Sequence, residues 1–125
     1  GGDPVKWNLD KNRPICPQLC QQLCAWIAAG EYPPNQRLMS VREVALAAGV
    51  NPNTVQNAFA QLEQKGVLYS VRGLGWFVSE DTAAAKSLFQ ELVQEKVAAF
   101  FGEMTALGIS PEEIKEIVKE WEIHE

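Results

Sequence analysis

Asn53, Thr54, Gln56 and Asn57 stand together just after Asn51-Pro52, and each carries a group able to hydrogen-bond another molecule. An Asn or Gln amide pairs a donor with an acceptor and can meet an adenine edge in bidentate fashion, while a Thr can contact a phosphate or a thymine methyl. Upstream, Arg42 has the geometry for a guanine edge or a phosphate. Arg72, within Arg72-Gly73-Leu74-Gly75, is suited to a minor groove or a phosphate. Amide-led readout would favour sites containing A·T pairs. On an arbitrary helix such residues would form only a solvated face, so the elements that carry them decide the matter.

Those elements read as a helix, a tight turn, a second helix and a β-hairpin. SVREVALAAG (40–49) opens with Ser40 as N-cap and Glu43 three residues on, a capping box. Val41, Val44, Ala45 and Ala48 give it one apolar face, and Gly49 supplies the left-handed residue that ends it. NPNTVQNAFAQLEQKG (51–66) follows, with Asn51 as N-cap and Pro52 at the first helical position, where a missing N–H is harmless. Val55, Ala58, Phe59 and Leu62 must face its core, which leaves Asn53, Thr54, Gln56 and Asn57 outward near the N-terminus. In VLYSVRGLGWFV (67–78), Val67, Tyr69 and Val71 alternate, as do Trp76 and Val78, about a glycine-rich turn. Two short helices followed by a two-stranded wing make a winged helix-turn-helix, whose usual work is reading duplex DNA.

The run from IAAG (27–30) through LMSVREVA (38–45), GVNPNTV (49–55) and LEQKG (62–66) to GLGWFV (73–78) resembles the DNA-binding domain of the GntR family of bacterial transcription regulators. The resemblance covers residues 14–78. The N-P-N-T-V turn and the short C-terminal segment are similar to the YtrA subfamily, whose members are usually repressors, often of operons for ABC transporters. By position, the resemblance implies DNA contacts at Ser40, Arg42, Asn53, Thr54, Gln56, Arg72 and Gly73; Asn57 is added from its outward place on the helix. The chain departs from the family pattern at Met39, which replaces a proline, and at Asn35, near the usual turn glycine. Pro52 and Gln56 stand where many members have arginines, and Asn57 where a basic residue is common in the subfamily. Each phosphate that is consequently left without a cation should shallow the salt slope by about 0.9.

The chain has 125 residues, room for one compact domain and an appendage. Its net charge of −5 is unusual for a DNA binder until it is divided. Residues 1–80 carry seven Lys/Arg against six Asp/Glu, and residues 81–125 carry four against ten. The acidity thus lies in the tail, and non-specific DNA affinity should be modest.

A helix over Pro17–Ala29 is expected to pack beneath the motif through Leu19, Leu23, Trp26 and Ile27, with Gly30 ending it and Trp7 and Leu9 tucked alongside. Gly1 and Gly2 read as an expression remnant. Cys16, Cys20 and Cys24 recur every fourth residue on this helix, which raises the question of a metal or redox site. Steps of four advance only about 40° around a helix, so Cys16 and Cys20 belong on the core face and Cys24 at its flank. Buried Cys commonly serves as a small hydrophobe, a closed zinc site needs about four ligands, and the one His is His124. No metal and no cofactor is expected, nor a disulfide.

Past Ser79-Glu80-Asp81, a helix over Thr82–Leu107 carries Phe89, Leu92, Val93, Val97, Phe100, Phe101 and Met104 as one broad apolar stripe, broken at Gly108. Ser110-Pro111-Glu112-Glu113 is a second capping box, with proline at the first helical position, opening a helix with Ile114, Ile117, Val118 and Trp121 on one side. Two helices cannot bury so many large side chains between themselves, so a symmetric homodimer is expected to cover them. The other possibility is that the stripe folds back on the DNA-binding domain. A single hairpin leaves little room for an effector pocket of roughly 300 Å3, and any small-molecule site is expected between subunits.

The fold expected is mainly α with a small β-wing: a winged helix-turn-helix over 1–80, then a two-helix dimerisation segment over 81–125. An enzyme is improbable, since the chain lacks a nucleophile elbow and a phosphate-binding glycine loop. No apolar run approaches the roughly 18 residues of a membrane helix, and a cytoplasmic location is expected. The competing function is a winged-helix protein-interaction adaptor without DNA.

Overall fold

The computed structural model describes residues 6–122; Gly1, Gly2 and His124 lie outside the described residues. The elements run α1 (Ile15–Ala28), α2 (Val41–Ala48), α3 (Pro52–Gln64), β1 (Leu68–Val71), β2 (Gly75–Val78), α4 (Ala83–Ala106) and α5 (Pro111–Glu120). Two compact units divide within α4, the first ending at Phe89 and the second beginning at Gln90. The first unit runs past residue 80 because Ala85 is buried in its core, with Ala84 and Leu88 packed against it.

In the first unit α1 packs on α3, α3 packs on α2, and β1 follows against α3. Leu19, Leu23, Cys24 and Ile27 of α1 meet Val44, Ala45, Val55, Ala58, Phe59 and Leu62 in one core, which the wing closes with Leu68 and Val78. Each such fully buried aliphatic or aromatic side chain contributes about 1.5–3 kcal/mol. Phe59 meets Trp76 edge-on at 5.6 Å, joining α3 to the wing. Trp7 lies edge-on to Trp26 at 4.5 Å, so the segment before α1 does tuck onto it. That segment is tied down by two glutamines: Gln18 accepts from the Asp10 N–H at 2.7 Å, and Gln22 exchanges hydrogen bonds with the Asn8 backbone.

Three expectations are corrected. Helix α1 starts at Ile15, directly after Pro14, rather than at Pro17. Cys24 is the buried cysteine, whereas Cys16 and Cys20 are half-buried. They lean toward α3, where the Cys20 thiol lies 3.6 Å from the Ala58 carbonyl oxygen and the Gln61 amide donates to Cys16 Sγ at 3.4 Å. In the wing, Leu68 pairs with Val78 and Tyr69 with Phe77. Leu68 and Val78 take the core side and Tyr69 stacks on Phe77 at 5.4 Å, so the alternation of Val67, Tyr69 and Val71 does not mark one buried face. Val67 is buried by the turn out of α3, whose Leu62 carbonyl its N–H meets at 2.8 Å, and Val71 is exposed.

In the second unit, the expected capping box of α5 is half formed: Ser110 Oγ accepts from the Glu113 N–H at 3.2 Å, with Pro111 in the first turn, while the Glu113 carboxylate accepts from the Ser110 hydroxyl at 3.1 Å. Ile114 is buried, while Val97, Phe100, Ile117, Val118 and Trp121 stay exposed; Trp121 falls just beyond the helix, at its C-cap. Among the described residues no helix is long and apolar enough to cross a membrane.

Candidate nucleic-acid interface

The capping chemistry places α3. Ser40 Oγ accepts from the Glu43 N–H at 3.1 Å, and the Ser40 N–H donates to Glu43 Oε1 at 3.2 Å, the full capping box. The hydroxyl proton of Ser40 stays available for an outside acceptor such as a phosphate oxygen. Gly49 ends α2 at φ 69°, and Asn51 Oδ1 then accepts from the Asn53 N–H at 2.8 Å, starting α3. The turn is thus set by two caps and a left-handed glycine.

On α3, Asn53, Gln56 and Asn57 are exposed, at the i, i+3, i+4 spacing of one face. Among the described residues no hydrogen bond engages their side-chain amides. Thr54 is half-buried, because it borders the core side of the wheel next to Ala58. Its reach is correspondingly shorter. Arg42 is exposed on the first turn of α2.

The wing is anchored to the end of α3 by Glu63, whose Oε2 accepts from the Ser70 hydroxyl at 2.8 Å and the Ser70 N–H at 3.2 Å. At its tip Arg72 is exposed and Gly73 has φ 83°. Residues 35–38, for which the sequence carried no strand pattern, form a third edge along β2. The Asn35 N–H meets the Val78 carbonyl at 2.8 Å, the Val78 N–H the Gln36 carbonyl at 2.9 Å, and the Leu38 N–H the Trp76 carbonyl at 2.8 Å. This edge carries Arg37, bridged to Phe77, onto the wing as an exposed cation that sequence reasoning missed. Its only sequence signal was a lone basic residue before Leu38-Met39-Ser40.

Two of the three cysteines are held as thiols. Burial pushes the Cys20 thiol up to about 12, helped by the neighbouring Cys16 and Cys24, and burial raises Cys24 to about 11 against a small opposing pull from Lys65. Protonated thiols are poor metal ligands and poor nucleophiles. Among the described residues no cluster of His, Cys, Asp and Glu has the makings of a metal site.

The second unit holds an open apolar groove of about 350 Å3 lined by Phe100, Met104, Ile117, Val118 and Trp121. The expectation that one hairpin lacks such room is therefore corrected: α4 and α5 leave these side chains uncovered.

Comparison with known proteins follows the same outline. The model of bacterial regulatory proteins of the gntR family matches residues 17–78. The chain is 33% identical to the HTH-type transcriptional regulator YhcF of Bacillus subtilis, over 86% of this chain and 89% of that one. It is 32% identical to the HTH-type transcriptional repressor YtrA of the same organism, over 86% of this chain and 83% of that one. Among solved structures, a GntR family transcriptional regulator from Listeria monocytogenes matches with TM-score 0.81 and 36% identity, over 91% of this chain and 100% of that one.

Proposed function

The chain belongs to the gntR family of bacterial regulatory proteins, and on that premise we propose that it is a homodimeric repressor that binds a palindromic operator in the cytoplasm. It is a DNA-binding transcription regulator with a winged helix-turn-helix. The observation that carries the finer reading is the exposed, uncommitted amide face of α3, set by two caps beside a basic wing. Gln56 and Asn57 are assigned to adenine edges, Asn53 and Thr54 to the first bases or phosphates, and Ser40, Arg42, Arg72 and Gly73 to the backbone. No enzymatic activity and no cofactor enter this reading.

Dimerisation is assigned to the second unit. At about 100° per residue, the stripe from Phe89 to Met104 spans half the circumference of α4, more than the single short helix α5 covers. The exposed Val93, Val97, Phe100, Ile117, Val118 and Trp121 support a second copy as the cover. Two reading heads would then meet half-sites about one helical turn apart. An effector, if one acts, would share the Phe100–Trp121 groove with the second copy, between the subunits.

The test is selection of bound duplexes from a random library at two salt concentrations, with the protomer number measured by sedimentation. Recovery of a palindrome by a dimer supports the reading. A monomer, or weak binding that enriches nothing and vanishes at physiological salt, overturns it in favour of the adaptor.

A further inference from the structure

Leu74 is the most exposed large apolar residue of the wing. The large apolar residues Leu68 and Val78 of the hairpin are buried, yet Leu74, at its apex, is 52% exposed. The turn puts it there. Its N–H donates to the Val71 carbonyl at 2.9 Å, and Val71 pairs with Gly75, so only residues 72–74 round the corner. Gly73 at φ 83° and Gly75 at φ 111° take conformations that suit glycine, and neither offers a side chain against which Leu74 could fold. The apex is therefore an isobutyl group standing clear of the backbone on both sides.

Its neighbours are cations. Arg72 is exposed two residues before it. On the other flank the Arg37 guanidinium lies against Gly75: a Cβ there would sit 3.8 Å from Nε and 4.0 Å from Nη2. An apolar tip between two arginines suits neither free solvent nor a protein core. It suits a groove walled by phosphates that admits an apolar side chain between them.

Building on the DNA-binding reading, we infer that Leu74 is a specificity-determining residue that enters the minor groove beside the half-site, with Arg37 and Arg72 on the phosphates of its two walls. Leucine is among the side chains that proteins press into minor grooves. A leucine satisfies none of the floor's polar groups, and both pairs share the in-plane acceptors; they differ in the guanine N2 amino, which projects from the floor of a G·C pair and takes space that an A·T floor leaves open. Covering that amino without a partner is unfavourable. Leu74 therefore selects A·T pairs by exclusion, independently of the amides on α3.

The test uses the intact protein and the operator recovered by selection, with each flanking pair in turn made A·T, G·C or I·C. Inosine keeps the O6 and N7 acceptors of guanine in the major groove but lacks the N2 amino. The expected result is that one flanking position binds A·T and I·C alike, and G·C at least about fivefold more weakly. Leu74→Ser should level all three, and Arg37→Gln should weaken every duplex and shallow the salt slope by about 0.9. Equal weakening by I·C and G·C, or a Leu74→Ser protein that keeps the preference, would overturn the inference while leaving the regulator intact. A wild-type protein that selects no sequence would overturn the regulator reading itself, and this inference with it.

Discussion

Lys11 holds Gly49 from outside the helix-turn-helix: its Nζ donates to the Gly49 carbonyl oxygen at 2.8 Å and to that of Ala48 at 2.9 Å. These are among the last carbonyls of α2, which have no partner within the helix, and an ammonium there also suits the helix dipole. The segment before α1 is thereby fastened to the turn that launches the reading helix. Lys11→Met should lower stability by about 1 kcal/mol and weaken operator binding. Thermal unfolding and a binding titration check the two effects.

Asn35 is the one described non-glycine residue with positive φ, at 66°, and its Oδ1 accepts from the Tyr69 hydroxyl at 3.0 Å. Asparagine tolerates that conformation better than alanine does. Asn35→Ala should cost about 2–3 kcal/mol, combining left-handed strain with removal of the hydrogen bond. Asn35→Gly and Tyr69→Phe should each cost only about 1 kcal/mol. Urea midpoints at an unchanged slope decide the order, and equal losses for all three would refute the strain argument.

The thiols carry a pH signature. Cys20 and Cys24 hold their protons in the folded protein up to about 12 and about 11, against an ordinary 9.0. Their contribution to stability is therefore complete below pH 9 and is lost as pH rises through the folded values. Denaturation midpoints should fall above pH 9 in the parent more than in a Cys20→Ala/Cys24→Ala variant. At pH 7.5, a disulfide reagent should label both residues far more slowly in the folded than in the urea-unfolded chain.

The dimer reading makes its own demand. Val97 and Val118 are exposed on α4 and α5, whereas Ile114 is buried. Val97→Glu/Val118→Glu should leave the helical circular dichroism unchanged, halve the sedimenting mass and weaken binding to a two-half-site operator more than to a single half-site. A variant that remains a dimer would move the interface elsewhere.

Much of this molecule was legible before any coordinates, because its signals are local. Ser40 with Glu43, Asn51 with Pro52, and Ser110 with Glu113 each encode a helix start within four residues, and each start lies where the sequence puts it. The apolar spacing of Val55, Ala58, Phe59 and Leu62 likewise dictated which face of α3 is left exposed. Period and cap chemistry need no distant partner.

What the tertiary structure alone decided depends on residues far apart in sequence. The inward face of β1 is set by pairing Leu68 with Val78, not by the tempting alternation from Val67, since one step of register reverses both faces. Arg37 reaches the wing only because residues 35–38 bind along β2, a pairing with no local pattern to announce it. Cys24, rather than Cys16 or Cys20, is buried because the depth of a helix position is fixed by the whole core that closes over it, which four-residue spacing does not encode. A sequence determines its periodicities and caps by short-range sterics and hydrogen bonding; which partner covers each face is settled only when the whole chain packs.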